Sequence, residues 1–146
     1  MASETPRPST QAHADRIVAS LATLPTMPYR SHVAMRFVLG IRWLAMCERK
    51  RHDPVVELTQ RLGSVTAAKA FIDFADLAGR CWPEPVQVLR PCCSLMTADE
   101  SLFAAMAEAA ARADRTKFSA VLDGFIRCDR HERLYDHALF AVAASS

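Results

Sequence analysis

This chain of 146 residues has no long uninterrupted apolar run, no large excess of charge of either sign, and none of the short signatures that announce an enzyme. Its longest apolar stretch, residues 33–47, is broken by Arg36 and Arg42. A membrane-spanning helix needs about 20 mostly uncharged residues, so none is expected. The formal charge of +2 is too small to point by itself to nucleic acid or to an acidic membrane. Residues 1–11 are polar and proline-bearing, without the apolar core or small-residue cleavage site of a secretory leader. With that start, an odd count of five cysteines reads as reduced thiols in a cytoplasmic setting rather than as a disulfide framework.

Catalytic patterns are missing in the same way. No Gly-x-Ser-x-Gly elbow, glycine-rich phosphate loop, His-Glu-x-x-His pair or Glu-x-x-His di-iron pair occurs. Histidines 13, 32, 52, 131 and 137 are scattered, and those on the final helix alternate with arginines that can neutralise the neighbouring acids. Period-two alternation is absent, which argues against strands, and no fixed-length repeat emerges, which argues against a solenoid.

What the chain does have is helical periodicity and enough apolar content, 51%, for a core. A domain of this size buries about 68–70% of the surface its unfolded chain exposes. The expectation is an all-α fold, an irregular single-domain bundle of six or seven helices over residues 10–146, behind a flexible tail at 1–9. A first short helix is expected at 10–24, carrying Ile17, Leu21 and Leu24, and stopped by Pro25 and Pro28. The segment 31–50 is apolar nearly all round, as the central helix of a bundle is. Asp53 followed by Pro54 is a helix start, Gly63 a left-handed stop, and Ser64 the cap of a helix carrying Ala67, Phe71, Phe74 and Leu77.

Residues 81–96, with three prolines, read as a long loop, extended around 86–89. Thr97 and Glu100 form a capping box for the next helix. Phe118, Val121, Leu122, Phe125 and Ile126 make the clearest amphipathic pattern, predicting a helix over 117–127. Asp129 and Glu132 predict a second capping box, and Asp129 with Arg133 an ion pair one turn apart. The final helix is expected to carry Leu134, Ala138, Leu139 and Val142.

Two constellations carry chemistry. Cys92 and Cys93 lead into a capped helix, where the dipole stabilises a thiolate, and Cys128 with His131 supplies a second Cys/His pair within one turn. Together Cys92, Cys93, Cys128 and His131 are candidate ligands for zinc, with Cys81 across the long loop. Against this, zinc modules use Cys-x-x-Cys pairs, and cysteine is also a common buried apolar residue. The second constellation is the basic run Arg49, Lys50 and Arg51, with His52 and with Arg42 one heptad upstream. It precedes a segment, 56–74, that loosely resembles a helix-turn-helix. There Lys69 favours DNA, whereas Asp73 and Asp76 repel it.

From Arg90 onward, the residues Pro91, Cys92, Cys93, Met96, Thr97 and Glu100, and the alanine- and leucine-rich helices behind them, resemble a family of small bacterial helical proteins known only as a domain of unknown function. A weaker similarity reaches back to 42–46. The fuller family motif has a third cysteine and a proline where this chain has Ser94 and Leu95, so a site of three thiolates in one turn is not completed at those positions. The resemblance implies a helical fold and no mechanism. The leading expectation is therefore a non-catalytic module that binds another protein or itself. A thiol-based metal or redox sensor at Cys92 and Cys93 is the alternative, and a DNA-binding regulator the second alternative.

Overall fold

The computed structural model describes residues 30–145. The helix expected at 10–24 and the tail at 1–9 lie outside the described residues. Within them the fold is all-α. Helix α1 spans His32–Lys50, α2 Pro54–Leu62, α3 Val65–Cys81, α4 Ala98–Ala111, α5 Arg115–Leu122 and α6 His131–Ala144, with a 3₁₀ turn at Cys128–Arg130. Among the described residues no helix is long and apolar enough to cross a membrane.

Most helix ends sit where their capping chemistry puts them. Ser31, Asp53, Ser64, Thr97 and Asp114 each accept a first-turn amide with the side chain. This satisfies donors that the helix itself leaves without partners. Gly63 closes α2 at φ 93°, a left-handed conformation that costs glycine little.

The core is organised around aromatic rings. Phe37 of α1 meets Phe71 and Phe74 of α3 at 5.3 and 5.4 Å between centroids. Phe74 continues to Phe103 of α4 at 5.9 Å, Phe103 stacks on Trp82 at 4.8 Å, and Trp82 meets Phe125 edge-on at 5.0 Å. Such pairs contribute roughly 0.5–1.5 kcal/mol each beyond their area burial. Met106, Phe118, Leu122, Leu134 and Tyr135 complete the core from α4, α5 and α6.

Where the sequence expectation fails, it fails after Leu122. The helix predicted over 117–127 starts earlier, at Arg115, and ends at Leu122, with Asp123 extended and Gly124 left-handed at φ 76°. The i+7 and i+8 residues of the pattern still face the protein, but through a turn that carries Phe125 to Trp82 and buries Ile126. The second capping box does not form, because the chain enters α6 through the 3₁₀ turn without a side-chain cap. Asp129 pairs with Arg127 at 3.1 Å instead of Arg133, and Glu132 pairs with Arg115 across the α5–α6 corner. On α6 the buried stripe is Leu134, Tyr135, Ala138 and Ala141, which rotates Leu139 outward.

Gly40 marks the tightest crossing, where α1 passes over Phe71 of α3. A Cβ at position 40 would lie 2.5 Å from the ring's Cζ. Phe71 is fully buried, with the rings of Phe37 and Phe74 packed against it. Gly40→Ala is therefore expected to lower the midpoint of chemical denaturation. Overpacking costs about 1–3 kcal/mol, and the helix-propensity gain returns at most about 1 kcal/mol. An unchanged or raised midpoint contradicts the close crossing.

Candidate functional site

The cysteine-bearing turn is built on an arginine that local sequence reasoning assigns to a surface charge cluster. Arg42 lies midway along α1, and its side chain is completely buried. Its Nε donates to Glu100 Oε2 at 2.5 Å and one Nη to Glu100 Oε1 at 3.1 Å. The remaining donors reach main-chain carbonyls of the loop before α4, those of Arg90 at 3.3 Å, Cys93 at 2.6 Å and Leu95 at 2.5 Å. The planar guanidinium fork presents five N–H groups in fixed directions, which suits one carboxylate and several carbonyls at once.

Glu100 is equally committed. Besides Arg42, its carboxylate accepts the amide of Thr97 at 2.9 Å, closing the capping box, and the amide of Leu89 at 3.4 Å. Thr97 Oγ1 in turn donates to the Gln87 carbonyl at 2.6 Å, and Asp99 accepts the Gln87 amide at 2.7 Å. The stretch around 86–89, expected to be extended, thus takes its partners from the first turn of α4 rather than from a strand. At the other end of the same seam Glu108 accepts from Arg30 and Ser31 at 3.5 and 3.2 Å. These two pairings make α1 and α4 antiparallel. Ala34, Val38, Met96 and Ala104 fill the space between them.

Cys92 is exposed on this clamped turn and Cys93 is half-buried, both as free thiols. Two of the first amides of α4 already have acceptors. Glu100 N–H donates to Thr97 Oγ1 at 3.0 Å and Ser101 N–H to the Thr97 carbonyl at 3.0 Å.

The other two metal candidates lie on the 3₁₀ turn and α6. Cys128 is exposed, 3.8 Å from an Asp123 carboxylate oxygen. His131 is buried and its Nε2 sits 2.8 Å from the Ile126 carbonyl, which can only accept, so Nε2 holds the proton. Cys81 lies 3.8 Å from an Arg130 nitrogen. Among the described residues no three histidine, cysteine or acidic side chains gather to hold a metal ion. The structure thus does not bring Cys92 and Cys93 together with Cys128 and His131.

Arg49, Lys50 and Arg51 are exposed at the end of α1, as a solvated basic run should be, but Arg42 is no part of it. The exposed face of α3 mixes Lys69 and Arg80 with Asp73 and Asp76. A surface of that mixture does not follow a phosphate backbone.

Apolar exposure is the feature that sequence reasoning located least well. On α6, Phe140 is 61% and Leu139 37% exposed, while Val65 at the start of α3 is 49% exposed. Arg130, at the start of α6, reaches Cys81 at the end of α3, so these two packed helices run antiparallel. Val65 and Phe140 accordingly lie toward the same end of the bundle. Comparison with family models, with curated proteins and with solved structures gave no match.

Cys47 has the opposite environment to Cys92. Burial, then the negative charges of Glu57 and Asp53, push its thiol above the ordinary value. A folded value above the unfolded one leaves stability untouched near neutrality and erodes it only as pH climbs past the ordinary thiol range. Native protein treated with a water-soluble thiol reagent should label at Cys92 and Cys128 first, and at Cys47 only after unfolding. Peptide mapping reads the order. Labelling of Cys47 as fast as Cys92 in the folded protein contradicts the assignment.

Proposed function

We propose that this chain is a non-catalytic helical module that acts by binding another protein or a second copy of itself. The observation that carries the reading is the outer face of the last two turns of α6, where Leu139, Phe140 and Ala143 are exposed together. Isolated apolar residues on a surface are ordinary, whereas contiguous ones form the patches that mark interfaces. Burying one such ring against a partner is worth about 1.5–3 kcal/mol, enough to make it an anchor. The earlier turns of the same face carry Glu132, Arg133 and Asp136, a polar border of the kind that rims interfaces.

The alternatives draw less support. A thiol sensor rests on the exposure of Cys92 and on its neighbour Cys93, with no group of three metal-binding side chains formed there among the described residues. DNA binding rests on Arg49, Lys50 and Arg51 alone, opposed by the acidic residues of α3.

Phe140→Asp tests the leading reading, because the side chain is mostly in solvent and its replacement should leave the melting temperature within a few degrees. The wild-type chain is expected to self-associate in sedimentation velocity, or to hold a partner in pull-down, and the variant to lose that association. A wild type that stays monomeric, with every captured partner retained equally by the variant, rules out this face as the interface.

A further inference from the structure

Between the second half of α1, the second half of α3 and the segment after Trp82 lies a cleft with a volume of about 560 Å³. Its walls include Leu44, Ile72 and Val88, and Phe103 of the core forms part of its lining. Its polar lining consists of Glu48 on α1, Asp76 on α3, and His52 just past the end of α1. Sites for small organic ligands are concave, mostly apolar, and have about this volume, with a few polar groups that fix orientation.

The charges at the mouth decide what the cleft would take. Glu48 and Asp76 approach it from different helices, and neither carboxylate has an ion-pair or hydrogen-bond partner among the described residues. The salt bridges among the described residues use other acids. Arg49, Lys50 and Arg51 share the end of α1 with Glu48, and Arg80 lies one turn beyond Asp76, yet none of these cations lines the cavity. The arrangement is an apolar pocket lined by two carboxylates without an ion-pair partner and by the imidazole of His52. An anion would meet both of them, and a neutral apolar molecule would leave them unused. A cation with an apolar body satisfies the walls and the rim together.

We propose that this cleft is a binding site for a small organic cation, an ammonium group carried on an aliphatic or aromatic body. The body lies against Leu44, Ile72 and Val88, and the ammonium sits between Glu48 and Asp76. This site is separate from the α6 face, so either can exist without the other.

Three probes with the same body and different heads test it: n-octylammonium, n-octanol and octanoate, each titrated into the full chain and followed by amide chemical shifts. Octylammonium is expected to shift amides of residues 41–48, 72–76 and 86–88, saturably and more tightly than octanol, with octanoate weakest. Each of Glu48→Gln and Asp76→Asn should weaken octylammonium by a factor of about 1.4 to 5, as expected for exposed ion pairs worth roughly 0.2–1 kcal/mol. The double variant should bind octylammonium and octanol alike. Both residues are exposed, so the variants keep the fold and octanol binding reports an intact cleft. Equal binding of all three probes by the wild type, unchanged octylammonium affinity in the double variant, or shifts confined to other residues would overturn the proposal.

Discussion

Arg42 stands in the middle of the most apolar helix of the chain, and the placement of everything between α3 and α4 follows from where its guanidinium finds acceptors. Taking a charged pair out of water costs several kcal/mol per ion, and the mutual attraction repays this only when the remaining donors and lone pairs are also satisfied. Here they are. Glu100 takes two of the bonds, and the carbonyls of Arg90, Cys93 and Leu95 take three more. A loop with three prolines is thereby fixed to α1. The same carboxylate closes the cap of α4, so helix start, loop path and helix–helix seam share one pair of side chains.

That economy explains what was legible in the sequence and what was not. Caps are local: Asp53 with Pro54, Ser64, and Thr97 with Glu100 need only their own neighbours, and they form as their spacing predicts. The buried faces of α1 and α3 are also local, since 3.6-residue periodicity is a property of each helix alone. The Arg42–Glu100 pair joins residues 58 positions apart, and neither partner's local context announces the other. An arginine inside an otherwise apolar helix was the available signal, and its neighbours Arg49 and Arg51 drew it into the wrong group. The end of α5 failed for a different reason. Phe125 and Ile126 keep the helical spacing, but Gly124, left-handed at φ 76°, turns the chain after Leu122, and Phe125 meets Trp82 edge-on.

The candidate sites divide along the same line. The cysteine turn is conspicuous in the sequence because two cysteines are adjacent, and the structure gives that turn a clear structural origin in the carbonyls held by Arg42. The α6 face and the cleft under Glu48 and Asp76 are inconspicuous in the sequence. The first depends on how far α6 is rotated about its axis, and the second on three segments meeting. Rotation of α6 is set by the small residues Ala138 and Ala141, which let it pack closely and send Phe140 outward.

The most direct test of the account is the stability of Arg42→Met, Glu100→Met and the double variant by chemical denaturation. Each single change should cost about 3–5 kcal/mol, since it leaves a buried charge uncompensated. The double variant should remain clearly less stable than the wild type, because methionines cannot replace the bonds to the loop carbonyls or to the amides of Leu89 and Thr97. A double variant as stable as the wild type would show that the pair is interchangeable with apolar packing, and that the loop and the start of α4 hold their places without it.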